Sequence, residues 1–121
     1  MSDSGNGGRP TEQVRELLRH VLGKADFPGS DELFQQASSV NVVGGLITML
    51  DLCVTAQRSA SAFTDGPIPL SIMVMDSEDV AFGELLIWVS DGYLSSLEFA
   101  WWSDSPPERL PALDRVRVAR K

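Results

Sequence analysis

An α+β fold is what this 121-residue sequence predicts: two N-terminal helices packed on one face of a curved antiparallel sheet of about four strands. Three observations carry it. Apolar residues recur with a helical period near the N-terminus, in "TEQVRELLRHVLG". After Ser38 the chain becomes rich in β-branched residues broken by turn signals. "WVSDGYL" then sets Asp91-Gly92 between two apolar runs, the strongest short hairpin signal.

Residues 1–10, "MSDSGNGGRP", are polar and glycine-rich, and are expected to be a flexible lead-in rather than a secretory signal, which needs an apolar stretch. Val14, Leu17, Leu18, Val21 and Leu22 then make one face of a helix, with Thr11 as its N-cap and Gly23 as a left-handed C-cap. His20 falls on the opposite, polar face one turn after Glu16, where a solvated side chain with a weak i,i+4 contact is expected. "FPG" breaks the chain. Ser30 can cap a second helix, "DELFQQA", whose inner face is Leu33, Phe34 and Ala37.

A strand near 46–54 follows, with a shorter one at 39–43 and Gly44-Gly45 as a turn or bulge between them. "TAQRSASAFTDGPIP" reads as a loop and "LSIMVMD", 70–76, as a strand. "SPPERLP" ends the sheet, because proline cannot donate to a ladder. Residues 11–113 are expected to form a single domain and residues 114–121 a basic C-terminal tail.

The hairpin register decides which residues share a face. A two-residue Asp91-Gly92 loop sets Val89 opposite Leu94 but leaves both faces mixed. A three-residue loop, Ser90 to Gly92, separates polar from apolar better. It puts Leu85, Ile87, Val89, Tyr93, Leu97, Phe99 and Trp101 on the core face, and Glu84, Leu86, Trp88, Leu94, Glu98 and Trp102 on the other. This register makes Glu84 and Glu98 cross-strand neighbours. Like charges directly opposed are unfavourable. The pair then either holds a cation, shares a proton, or is relieved by solvent, Arg58 or a tail arginine. Trp101 and Trp102 point to opposite sides, so one belongs to the core. The other is covered by Pro106-Pro107 or is an aromatic anchor for a partner.

The candidate binding residues are therefore Trp88, Trp102, Glu84 and Glu98, with the acidic cluster Asp76, Glu78 and Asp79. That cluster fails the spacing of a calcium loop, and no Cys/His metal spacing, phosphate loop or nucleophile elbow is present. No catalytic residue, metal or cofactor is assigned. Cys53, the one cysteine, lies in an apolar run and is expected to pack as a small hydrophobe.

Charge is uneven. The net is -7, and between Ala25 and Asp104 twelve acids face a single base, Arg58. An acidic body disfavours nucleic acid and steers basic protein partners. No apolar run reaches membrane-spanning length, and the expected compartment is the cytoplasm.

"GELLIWVSDGYLSSLEFAWWSDSPPERLP" resembles the C-terminal half of small bacterial proteins, mainly from actinomycetes, that carry a V-x-D-G-x-L-x-x-L-E hairpin and an aromatic, acidic, proline-rich ending. The matching residues are Val89, Asp91, Gly92, Leu94, Leu97 and Glu98, then Trp101, Asp104, Pro106 and Pro107. The resemblance implies no assigned activity. Similar hairpins occur in small bacterial immunity proteins that neutralise toxins. The functional expectation is a non-enzymatic interaction protein of that kind, using an acidic, aromatic-bearing surface. The alternatives are a small-ligand or enzymatic pocket between helices and sheet around Glu84, Glu98, Trp88 and Trp102, and a homodimer sealed by the outer sheet face.

Overall fold

The structure, a computed structural model, describes residues 10–55 and 57–121; the lead-in expected over 1–10 therefore lies, apart from Pro10, outside the described residues. Two helices, α1 (Thr11–Leu22) and α2 (Ser30–Ala37), precede seven strands: β1 (Val40–Leu46), β2 (Met49–Val54), β3 (Gly66–Pro67), β4 (Leu70–Met75), β5 (Ala81–Ser90), β6 (Tyr93–Trp101) and β7 (Val116–Arg120). The strands form one antiparallel sheet in the order β1-β2-β6-β5-β4-β7, with β3 pairing beside β4 along β5. The α+β class and antiparallel sheet stand as expected, but with seven strands rather than about four. Among the described residues no helix is long and apolar enough to cross a membrane.

The helical period of α1 is fully used. Val14, Leu17, Leu18, Val21 and Leu22 are all buried in one core cluster with Leu50, Leu85, Ile87, Leu97 and Phe99 of the central strands. Burial of such side chains contributes about 1.5–3 kcal/mol each, which outweighs any cap. The caps differ from expectation. Thr11 is the first helical residue, and its hydroxyl accepts from the Val42 amide on β1 at 3.2 Å. Gly23 stays right-handed, φ -66°, and lies where an added Cβ would come 3.5 Å from the Phe34 ring and 2.8 Å from the Arg19 carbonyl. Ser30 is likewise already helical; the left-handed Gly29, φ 94°, precedes it and turns the chain.

Gly44 and Gly45 belong to β1, not to the turn. The bulge falls between Val42 and Gly44, and the chain reverses at Ile47-Thr48. At the far edge, residues 114–121 are no tail. Leu113–Arg115 make a 3-10 turn and Val116–Arg120 pair with β4 along its whole length. The reason is apolar alternation hidden among arginines: Val116 is buried against the core and Val118 half-buried, while Arg117 and Ala119 face out.

The central hairpin combines both registers weighed from the sequence. At the tip the loop is the two-residue Asp91-Gly92, with Val89 opposite Leu94. A bulge at Ser95 then shifts the register, so Leu85 pairs with Phe99 and Ile87 with Leu97. Below the bulge the faces are those of the three-residue alternative. Above it they are exchanged: Leu94 is buried and Tyr93 exposed.

Candidate functional site

The pleat of β5 and β6 presents Glu84, Leu86, Trp88, Ser96, Glu98 and Ala100 on the face away from the helices, all half-buried. The core occupies the other face, so these side chains line no pocket between helices and sheet. Glu84 and Glu98 are diagonal, not opposed. Glu84 pairs across to Ala100 and Glu98 to Leu86. Each carboxylate has its own partner: the Trp88 indole Nε1 donates to Glu98 Oε1 at 3.1 Å, and Lys121 Nζ lies 3.9 Å from Glu84 Oε2. The relief of the two charges comes from an indole and from the C-terminal lysine, neither Arg58 nor an arginine.

The acidic loop between β4 and β5 is built on itself. Asp76 Oδ1 accepts from the amides of Glu78 and Val80 at 2.8 and 3.0 Å, and Asp79 takes a left-handed φ of 61°. The loop also binds the start of β7: Arg115 NH1 donates to the Asp76 carbonyl at 2.6 Å, and Asp79 Oδ1 lies 3.4 and 3.5 Å from Arg115 and Arg117. Bases read from the sequence as a separate tail thus neutralise part of this cluster. Glu78 is exposed. Among the described residues no three His, Cys, Asp or Glu side chains come together as a metal site.

Neither Trp101, the last residue of β6, nor Trp102 after it belongs to the core. Trp101 is 39% exposed and Trp102 57%. Trp101 lies opposite Gly83 at the end of the ladder, and Trp102 is held by its amide to the Phe82 carbonyl and by its indole to the Ala81 carbonyl, 3.0 and 3.1 Å. Its indole is anchored and most of its ring is open to solvent.

Among the described residues, six of the eight large apolar side chains left exposed lie at this same end of the sheet: Leu46 and Met49 at the β1–β2 turn, Trp101 and Trp102 at the end of β6, Val80 before β5 and Leu113 before β7. The ladders bring them there. Met49 pairs with Glu98, the Thr48 carbonyl accepts from the Phe99 amide, and Arg115 ties the Leu113 turn to the Asp76 loop. From the sequence, Trp102 and the acidic cluster were legible as candidates, but Leu46, Val80 and Leu113 were not, since each stands beside further apolar residues at a turn and nothing in the sequence says which of them stays outside. A break in the alternation at the end of a strand is the signal that marks them.

Cys53 is exposed, not packed in the core, because the odd positions of β2 (Met49, Asp51 and Cys53) face outward. His20 meets Lys24 rather than Glu16. The lysine Nζ can only donate, so His20 Nε2 accepts at 3.3 Å and the ring is neutral. Partial burial first, then the Lys24 charge, hold its pKa below the ordinary value of 6.5. Open clefts of about 280 and 590 Å³ flank the start of α2, the smaller lined by Asp31, Glu32, Gln35, Gln57 and Arg58. They are far along the chain from the sequence candidates and share no residue with them. No protein-family model, no curated protein and no solved structure matches the chain.

Proposed function

We propose that the protein is a non-enzymatic interaction protein that docks a basic protein partner on the end of the sheet around Trp102. The observation that carries this reading is the gathering of six exposed large apolar residues at that end. Scattered single exposures are ordinary on a protein surface; a group of this kind beside an anchored tryptophan is the make-up of a docking site. The surrounding loops add the sign of the partner. Asp76 and Glu78 lie in the loop that ends at Val80, Asp104 follows two residues after Trp102, and Asp79 already engages Arg115 and Arg117. Such a field speeds encounter with a basic surface, while the tryptophans supply the buried contact. Neutralising a toxin, the role of the immunity proteins that the hairpin resembles, is one task for such a surface.

The test uses the full chain as bait in a native lysate, beside Trp102→Ala and a Glu78→Lys, Asp104→Lys variant. A basic protein held by the wild type at low salt, lost at high salt and lost by both variants supports the reading. Capture indifferent to salt and to both variants removes it.

A further inference from the structure

We infer that β7 is a detachable strap: it opens from β4 while the rest of the sheet stays folded, and ion pairs at its two ends hold it closed. β7 pairs with β4 alone, and of its residues only Val116 is buried, with Val118 half-buried. The opposite edge of the sheet is held more firmly. β1 buries Val40 and Val42 and is pinned to α1, whose Thr11 hydroxyl accepts from the Val42 amide and whose Arg15 Nε donates to the Val40 carbonyl at 2.7 Å. The connection into β7 is loose as well. Of residues 102–115 only Leu110 is buried, so the chain can swing from Pro111 onward. An element with so few buried contacts opens at a lower free energy than the core.

The closing contacts are electrostatic. At the start of the strap Arg115 and Arg117 both reach Asp79 Oδ1, at 3.4 and 3.5 Å, and Arg115 also donates to the Asp76 carbonyl at 2.6 Å. At its far end Arg120 pairs with Asp26, and Lys121 Nζ lies 3.9 Å from Glu84 Oε2. None of these charged side chains is buried, so each pair shifts the opening equilibrium by a factor of ~5 at most. Acting on one short strand they add up, and salt weakens all of them at once. What the strap covers gives it a task. β4, with the sequence LSIMVM, carries no charge. An uncharged strand with an open edge is a template for pairing with any other strand, and charged residues on the outermost strand guard against this. β7 places Arg117 and Arg120 in that position. The strap does not depend on docking at Trp102.

Hydrogen exchange of the full chain, read amide by amide by NMR, tests it. The amides of β7 that point at β4 are expected to exchange at least ~100-fold faster than the paired amides of β5 and β6. Raising NaCl from ~20 mM to ~0.5 M should speed the β7 amides a further ~5–10-fold and leave β5 and β6 unchanged. A variant carrying Asp79→Asn, Asp26→Asn and Glu84→Gln should show that gain already at low salt and respond little to more. Asparagine tolerates the left-handed backbone of position 79, φ 61°, so the variant removes charge without adding strain there. If the variant unfolds, seen as fast exchange in β5 and β6, the salt series on the wild type decides alone. β7 exchanging at the rate of β5 and β6, a wild type indifferent to salt, or a folded variant whose β7 stays as salt-sensitive as the wild type overturns the inference.

Discussion

The amide of Leu94 on β6 donates to Gln36 Oε1 on α2 at 2.9 Å, joining residues 58 positions apart in the core. The other end of the same side chain donates from Nε2 to the carbonyls of Gly92 and Arg58 at 2.8 and 3.0 Å. Gln36 is fully buried, and its amide therefore ties the second helix, the hairpin tip and the loop over it. Gln36→Leu keeps the volume and leaves the Leu94 N–H without a partner. The loss expected is about 2–4 kcal/mol of unfolding free energy, read by urea denaturation. A change under ~0.5 kcal/mol would mean that the hub does not hold the tip.

Two left-handed glycines give a matched comparison. Gly92, φ 81°, has no room: an added Cβ would lie 2.7 Å from the Ala60 carbonyl oxygen and 3.0 Å from its nitrogen. Gly66, φ 108°, has nothing within 4 Å. Gly92→Ala should therefore cost clearly more than Gly66→Ala, which carries only the backbone strain of about 1–2 kcal/mol. Equal losses in thermal melts would assign the whole effect to backbone conformation.

Aromatic residues at the end of β6 and just after it should separate stability from docking. Phe99 is buried and tilted against Phe82 at 6.0 Å, so Phe99→Ala is expected to cost about 3–5 kcal/mol. Trp102→Ala removes a mostly exposed ring and should change stability by less than ~1 kcal/mol. Denaturant midpoints of the two variants check this; a large loss in Trp102→Ala would make that ring structural.

His20 gives a pH signature. Its pKa is lowered on folding, by burial first and Lys24 second, so the unfolded chain binds the proton more readily. The contribution is present above the unfolded value of about 6.5 and lost as pH falls through the lower folded one. His20→Gln should flatten this part of the stability profile between neutral and mildly acid pH. A profile unchanged by the substitution would place the titration elsewhere.

Both helices were legible in the sequence because each buries a stripe whose period no strand can mimic. The Asp91-Gly92 turn was legible because few residues accept left-handed backbone, and both of these do, at φ 53° and 81°. The bulge at Ser95 was not, since it is set by how β6 must bend to keep both Leu94 and Leu97 in the core. Nor was β7: its two inward valines are set among charges, and only the free edge of β4 gives them somewhere to go. At the candidate site, single residue types pointed to Trp102 and the acidic cluster. The pairing of Glu98 with Trp88 depended on the register and was not readable in advance.

The strand order has a consequence for how the chain acquires its shape. β1 and β2 are separated from β6, the strand that β2 must join, by about 40 residues of other structure. The helices that cover this part of the core are made earlier still. On the ribosome, then, the first half of the protein emerges with its apolar stripe and only the β1–β2 hairpin to lie on, and waits for the central hairpin. Folding of such a long-range arrangement is expected to be slow for the size of the chain, with β5–β6, the longest of the local pairings, as its nucleus.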